Sequence, residues 1–99
     1  MADYAIEMTE EAKSDLDFYA VTARRTIVSA IRLQLMHEPL TPTRNRKPLR
    51  DHPLAKWELR VERYRVFYDV DQLAQTVIVT AVGHKEHNVL LVRGRQVAL

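Results

Sequence analysis

The sequence predicts an α+β fold in which a short N-terminal strand and two helices precede an antiparallel sheet. Two observations carry this prediction. Apolar residues between positions 10 and 38 recur at three- and four-residue spacing, as they do on the buried face of a helix. Strand-like runs then follow at 56–61, 64–70 and 76–84. The order of strand, helices and further strands is typical of an α+β domain.

The first half of the chain supplies the N-terminal strand and the helices. YAIEM (residues 4–8) alternates apolar and polar side chains, which predicts a half-buried strand. Thr9 is a candidate N-cap for the first helix, and the acidic residues Glu10 and Glu11 suit the positive end of the helix dipole. A second helical pattern covers residues 22–38. We expect a helical hairpin, although the periodicity is equally compatible with one bent rod.

The second half of the chain begins with a basic loop and continues as a sheet. LTPTRNRKPLRDHP (residues 40–53) is broken by prolines, which predicts irregular structure. TVIVTAVGH (76–84) is nearly all apolar and β-branched, as in a central strand buried on both faces. The tail is expected to add one short strand with a turn at Gly94. The prediction is therefore three or four strands after the helices, within a single domain covering residues 1–99.

The composition argues against several classes of protein. The chain has no cysteine, so it has neither a disulfide framework nor a thiolate metal site. It shows no signal-peptide pattern and no apolar run approaching about 18 residues, so we expect a cytoplasmic protein without a membrane segment. His84 and His87 have HxxH spacing, but two imidazoles without further ligands are a weak metal signal. We expect no metal and no cofactor.

Positive charge is concentrated in one part of the chain. The net charge is only +2, but residues 44–65 contain eight basic and three acidic side chains. Such a local field favours a polyanionic partner, either a nucleic acid or an acidic protein segment. A solvated charged surface is the simpler alternative.

AKWELRVERYRVFYDV (residues 55–70) is typical of a β-hairpin with its turn at Glu62 and Arg63. In this register Arg60 lies opposite Arg65 on a charged face. Because like charges directly opposite each other are destabilising, we expect a compensating anion. It is either a ligand phosphate held by both guanidinium groups or a carboxylate of the chain itself. The other face of the hairpin, which we expect to pack beneath the helices, carries Trp57, Leu59, Val61, Tyr64, Val66 and Tyr68.

The order of these motifs resembles that of the RelE/ParE superfamily of small bacterial toxins from type II toxin-antitoxin pairs. The resemblance rests on the strand, the helix pair and the basic loop, followed by LRV-x-x-YRVFYDV and VIVTAVGHKE. It covers residues 4–91 and is densest over 49–86. It implies a compact α+β toxin that an antitoxin wraps and holds inactive. RelE-like members cut messenger RNA in the ribosomal A site, whereas ParE-like members poison DNA gyrase, and the shared scaffold does not choose between them.

In the RNA-cutting branch, the resemblance implies basic catalytic residues on the sheet. Arg65 matches the arginine that contacts the scissile phosphate, and Arg60 matches a basic position near the end of the preceding strand. Lys56 matches a lysine at the start of that strand. Lys85 matches a basic residue after the glycine of the last central strand.

Two departures from the family pattern concern proton transfer. Glu58 stands where some members have a second lysine, and the C-terminal tyrosine of RelE-like enzymes has no counterpart, the aligned position being about Leu91. His84 lies near the place where that tyrosine would act, and histidine is the usual proton carrier at neutral pH. His84 therefore joins Lys56 and Lys85 as a candidate proton carrier, and Glu58 is an alternative base.

These residues suit cleavage of RNA without a metal ion. The 2′-hydroxyl of the substrate would be the nucleophile, and positioned cations would stabilise the charged phosphorane. Phe67 has the parity of the charged face and is a candidate to stack on a nucleobase or on the antitoxin. Our leading interpretation is a ribosome-dependent mRNA endoribonuclease. The alternatives are a DNA gyrase inhibitor without nuclease activity and an inactive antitoxin-binding module. Candidate RNA-binding residues in the basic loop are Arg44, Arg46, Lys47 and Arg50.

Overall fold

The computed structural model describes residues 3–98 and contains two helices and a seven-stranded sheet. The elements are β1 (Ala5–Met8), α1 (Glu10–Asp17), α2 (Val21–Leu35), β2 (Arg46–Pro48), β3 (Trp57–Val61), β4 (Tyr64–Asp71), β5 (Thr76–Glu86), β6 (Val89–Val92) and β7 (Arg95–Val97). The predicted α+β class, with one strand and two helices before the sheet, is confirmed.

Strand β5 lies at the centre of the sheet, as predicted. Strands β2 to β7 are neighbours in chain order and pair antiparallel. Strand β1 pairs parallel with the first part of β5, on the edge that β6 occupies further along the strand. The sheet is therefore mixed. A parallel pair needs a long connection between its strands, and the chain between β1 and β5, which includes both helices, provides it.

The sheet has more strands after the helices than the three or four predicted. The short strand β2 forms inside the predicted loop 40–53, and the tail forms two strands, β6 and β7, instead of one. The predicted turn at Gly94 joins those two strands, and Arg93 and Gly94 both have positive φ angles. Such short edge strands have weak sequence signals because their pairing depends on neighbours that are distant in the chain.

The β3–β4 hairpin has the predicted register. Arg60 is the cross-strand partner of Arg65, and Leu59 is the partner of Val66. Glu62 at the turn has a φ of 55°, in the left-handed region. The helix-facing side of the hairpin packs against α2 as expected, and the buried residues of this main core include Ile27, Ile31, Leu35, Leu59, Val61, Tyr64, Val66 and Tyr68.

The opposite face of the sheet is also covered, which corrects the prediction for Phe67. Its side chain is fully buried and its ring stacks on that of His52, with centroids 5.3 Å apart. Phe67 is therefore not available to stack on a nucleobase or on a protein partner. Strand parity assigned the side chain to the correct face, but the sequence did not reveal that residues 49–55 and the tail cover it. The other buried members of this second cluster are Ala55, Ala81 and Leu90.

A buried carboxylate joins α1 to the sheet. Asp15 is 2% exposed, and its Oδ2 accepts a hydrogen bond of 3.0 Å from the backbone N–H of Val82. Its Oδ1 lies 2.8 Å from Nε of Arg93 in an ion pair whose alignment is poor for a hydrogen bond. Burial raises the pKa of the Asp15 carboxyl, although Val82 and Arg93 both oppose the shift. Helix α1 begins at the predicted cap, since the Thr9 hydroxyl accepts a hydrogen bond from the backbone N–H of Ala12.

The last turn of α2 contacts a buried arginine from β2. Arg46 donates a hydrogen bond from Nη1 to the carbonyl oxygen of Gln34 and another, of 3.0 Å, from Nε to that of Thr41. A cation at a helix C-terminus is favourable because free carbonyl groups are concentrated there. Arg46 pairs with Leu59 and points towards the helices, so its neighbour Lys47 points to the opposite face.

Within residues 3–98, neither helix combines the length and the apolar character that are needed to cross a membrane.

Replacing Asp15 with alanine should destabilise the fold by about 2–3 kcal/mol, because the buried N–H of Val82 loses its acceptor and Arg93 loses its buried partner. Urea unfolding at pH 7 measures this free energy. The matched control is Glu11→Ala, since Glu11 is the exposed partner of the same arginine and should contribute at most about 0.5 kcal/mol. Similar losses in both variants would contradict the assignment of Asp15 as the anchor.

The same carboxyl should make the folded state more stable as the pH falls. Because the pKa of Asp15 is raised in the folded protein, this state takes up a proton at a pH where the unfolded chain is still ionised. The stabilisation increases from neutral pH through the folded pKa and levels off below the ordinary value of about 3.9. Asp15→Asn does not titrate. The difference in unfolding free energy between wild type and this variant should therefore move in favour of wild type as the pH falls from 7 towards 4, and a constant difference would contradict the assignment.

Candidate functional site

Four neighbouring strands, β2 to β5, and the residues just before β2 line a cavity of about 180 Å³ on the sheet face opposite the helices. The cationic side chains of its lining are Arg44, Lys47, Arg60, Arg65 and Lys85. Asn45 and Glu58 complete the lining, and Glu58 is its only carboxylate. The formal net charge of the lining is therefore +4.

Strand parity explains why these side chains converge. Arg60 and Arg65 are cross-strand partners, and Lys47 is the partner of Glu58 on the other side of β3. Arg65 also pairs with Gly83 of β5, and Lys85 lies two residues further along on the same face. Four strands thus each place a cation on one patch of the sheet, and the predicted pairing of the two arginines is observed.

Arg65 forms the floor of the cavity. It is 8% exposed, and its Nη1 donates hydrogen bonds to the carbonyl oxygens of Glu62 and Tyr64 at 2.9 and 2.8 Å. Burial lowers the pKa of its guanidinium group; Glu58 opposes this shift and Arg60 adds to it. Arg60 is exposed, and none of the ion pairs among residues 3–98 includes it.

Of the two anions expected beside this arginine pair, a ligand phosphate or a carboxylate of the chain, the structure shows the carboxylate of Glu58 near Arg65. Glu58 is 8% exposed and its Oε2 lies 3.9 Å from Nε of Arg65. This separation gives an electrostatic contact but is too long for a hydrogen bond. A carboxylate of the chain therefore offsets part of the charge of Arg65, whereas Arg60 has no carboxylate partner among residues 3–98.

Local hydrogen bonds hold the segment before β2 against the cavity. The Thr43 hydroxyl accepts hydrogen bonds of 3.1 Å from the backbone N–H groups of Asn45 and Arg46. The carbonyl oxygen of Asn45 accepts one of 2.7 Å from the backbone N–H of Arg60. Asn45 is a lining residue that the sequence did not indicate, because its position depends on the unpredicted strand β2.

Two predicted proton carriers lie outside the cavity. Lys56 is exposed before the start of β3, where its backbone N–H binds Oδ1 of Asp69. His84 points to the helix face because its cross-strand partner is Tyr64. Its Nδ1 lies 2.6 Å from the hydroxyl of Tyr19, in a hydrogen bond whose direction is set by the tautomer of the imidazole, and burial raises the pKa of this tyrosine to about 12. Of the three predicted carriers, the structure brings only Lys85 into the cavity.

The basic loop is divided in the same way. Arg44 and Lys47 line the cavity, whereas Arg50 is exposed outside its lining. Arg46 is held by backbone carbonyl groups beside α2 and is 9% exposed. His84 and His87 belong to no larger ligand set, since residues 3–98 contain no group of three or more histidine, aspartate or glutamate side chains arranged to hold a metal ion.

The family model described as the ParE toxin of type II toxin-antitoxin systems, parDE, matches residues 6–89. A chain of the toxin-antitoxin complex RelBE2 from Mycobacterium tuberculosis is similar, with a TM-score of 0.75 and 29% sequence identity over 86% of this chain and 94% of that chain. No curated protein sequence matches significantly.

A more distant likeness concerns the fold alone. A chain of the archaeal RelE-RelB complex from Pyrococcus horikoshii OT3 has a TM-score of 0.67 and 16% identity, covering 85% of this chain and 97% of that chain. The family match covers most of the sequence and agrees with the predicted fold and motif order. The chain belongs to the ParE toxin family, within the RelE/ParE superfamily of type II toxin-antitoxin systems.

Proposed function

We propose that this toxin is a ribosome-dependent endoribonuclease that cuts messenger RNA in the cytoplasm and thereby inhibits translation. The observation that carries the proposal is the cavity in which Arg60 and Arg65 converge with three further cations around one carboxylate. A scissile phosphodiester is an anion of suitable size and geometry for guanidinium forks.

The cations would act mainly on the transition state. The ribose 2′-hydroxyl loses its proton to solvent water as its oxygen bonds to the adjacent phosphorus, which adds negative charge to the phosphoryl oxygens. The bond to the 5′-oxygen then breaks and leaves a 2′,3′-cyclic phosphate. Preorganised positive groups stabilise this developing charge, and each such contact is worth about a hundredfold or more in rate. Arg60 is exposed and directs its charge to the ligand, while Arg65 supplies a fixed charge from the floor of the cavity.

Lys85 is the proposed proton donor to the leaving 5′-oxygen. It is half-buried and, of the three candidate proton carriers Lys56, Lys85 and His84, it alone lines the cavity. Its backbone N–H donates a hydrogen bond of 2.9 Å to the carbonyl oxygen of Arg63, which fixes the main chain at this position. Lys56 and His84 have no role in this scheme because of where their side chains lie.

An antitoxin is the proposed regulatory partner. The similar chain from Mycobacterium tuberculosis belongs to a toxin-antitoxin complex, RelBE2. An acidic segment of such a partner would complement the basic surface and would prevent RNA from reaching the cavity.

Inhibition of DNA gyrase is the second candidate function. It is favoured by the family model, whose description names the ParE toxin. It is also favoured by the small number of proton carriers at the cavity, since a gyrase poison needs a binding surface and no hydrolytic residues. A catalytically inactive antitoxin-binding module would need only the basic surface.

Expression from a tightly controlled promoter separates these functions. Wild type should produce cuts in translated messenger RNA, mapped by primer extension, and Arg60→Ala should reduce them by about a hundredfold. Because Arg60 is exposed, this variant tests charge with little effect on folding, whereas Arg65→Ala must first be shown to melt cooperatively. Arg25→Ala, another exposed arginine, is the control and should cut like wild type.

The other outcomes identify the alternatives. Gyrase-linked DNA breaks in cells with intact messengers would establish the second function instead. A wild type that arrests neither translation nor replication would leave only the antitoxin-binding module.

The two candidate lysines can be ranked directly. Lys85→Gln should lower the cleavage rate at least tenfold, whereas Lys56→Gln should stay within about threefold of wild type, because only Lys85 lines the cavity. Single-turnover cleavage in a translating extract measures both rates. Lys13→Gln, on the exposed side of α1, controls for the loss of one positive charge. Equal losses in the Lys85 and Lys56 variants would contradict the assignment of Lys85.

A further inference from the structure

Glu58 is an unusual component of a cavity that otherwise favours anions. The residue is 8% exposed, and it shares the cavity lining with five cationic side chains. Its nearest cation is Arg65, whose Nε lies 3.9 Å from Oε2, and none of the side-chain hydrogen bonds among residues 3–98 ends on its carboxylate. Because no such hydrogen bond partly neutralises this carboxylate, its negative charge acts on the neighbouring cations through electrostatic attraction alone.

The neighbours of Glu58 in the sheet explain its orientation. Its cross-strand partner on β2 is Lys47, and its partner on β4 is the buried Phe67. Apolar packing on the β4 side leaves the carboxylate facing the cavity together with Arg65 and Lys47. These are two of the cations that a ligand phosphate would contact.

We propose that Glu58 is an internal counter-ion that competes with the phosphodiester of single-stranded RNA for the cations of the cavity. This inference rests on the proposed binding of RNA phosphate in that cavity. In the free protein the carboxylate occupies the electrostatic position of the ligand and repels an incoming phosphate. Full engagement of Arg65 by RNA then requires Glu58 to be neutralised or moved away.

The competition follows from the distances. A phosphate in a cavity of about 180 Å³ lies within a few Å of the carboxylate, because Glu58 is part of the lining. Two negative charges at such a separation repel each other measurably even in a solvated site. The repulsion lowers affinity for any phosphodiester, and the same carboxylate offsets the charge of Arg65 opposite Arg60. Glu58 thus stabilises the unliganded arrangement and weakens the liganded one.

The experiment measures binding without cleavage. A fluorescent single-stranded 2′-O-methyl RNA lacks the nucleophilic hydroxyl, so fluorescence anisotropy with purified full-length protein at low salt gives Kd alone. Glu58→Gln keeps the side-chain size and removes the charge, and it should lower Kd by about fivefold or more. Glu7→Gln, an exposed residue of β1, changes the net charge equally and should stay within twofold of wild type.

Two further measurements localise the effect. The gain in Glu58→Gln should largely disappear in the double variant Glu58→Gln, Arg60→Ala if it arises in the cavity. In Glu58→Gln the slope of log Kd against log salt concentration should also become steeper, by the amount expected for about one additional phosphate contact. Thermal melts establish that each variant is folded. If Glu58→Gln does not melt cooperatively, Glu58→Met replaces it, since methionine has a similar volume and no charge.

Three outcomes would overturn the inference: equal affinity of wild type and Glu58→Gln, weaker binding by Glu58→Gln, or no binding by either. Weaker binding would show that the carboxylate contacts the ligand favourably. The proposed nuclease function fails separately. If Glu58→Gln binds RNA more tightly while cells that express the wild type keep intact messengers, the role of Glu58 as a counter-ion is supported and cleavage of RNA is rejected.

Discussion

The register of the β3–β4 hairpin is the constraint on which the rest of the structure depends. Leu59 and Val66 are paired and fully buried beneath the helices, while Phe67 is fully buried on the other face. A shift of one residue would exchange the two faces and turn the charged side chains of the cavity towards the helices. The two cores therefore fix a pairing in which Arg60 must lie opposite Arg65. Packing on both faces fixes the pairing of the two strands, so the like-charge pair persists although the two guanidinium groups repel each other.

The consequences of this pair extend through its neighbours. Glu58 offsets part of the charge, and the carbonyl groups of Glu62 and Tyr64 bind the guanidinium of Arg65. These contacts keep a charged group in place at 8% exposure, where burial without partners would be strongly unfavourable. They also make the two arginines unequal. Hydrogen bonds hold the positive charge of Arg65 in place, whereas the exposed side chain of Arg60 can contact a ligand.

Sequence reasoning predicted the parts of this site that depend on strong local patterns. Alternation along residues 56–70 was sufficient to place Arg60 and Arg65 together, and the long apolar run identified β5 as the central strand. Arg46 was assigned to RNA from its charge alone. The short strand β2 has no clear pattern, so the alternation that turns Arg46 towards α2 and Lys47 towards the cavity was not visible.

His84 illustrates a second limit of the sequence. Its place at the end of the central strand was predicted, but its side depends on a cross-strand partner and on the Tyr19 hydroxyl, which is remote in the chain. The cover over Phe67 was missed for the same reason, because loops and short tail strands gain their positions from tertiary contacts. Local periodicity thus predicts where strands lie and which side chains share a face of the sheet, but it does not predict which loops and tail strands cover that face.

The attachment of the second half of the basic loop has a consequence for how this surface meets a ligand. The hydroxyl of Thr80 donates a hydrogen bond of 2.7 Å to the carbonyl oxygen of Leu54, and the ring of His52 rests on Phe67. The main chain of Leu49 is tied to Lys56 by a further bond of 2.8 Å. A loop fastened in this way loses little conformational entropy when a partner arrives, so more of the gross attraction is retained as affinity.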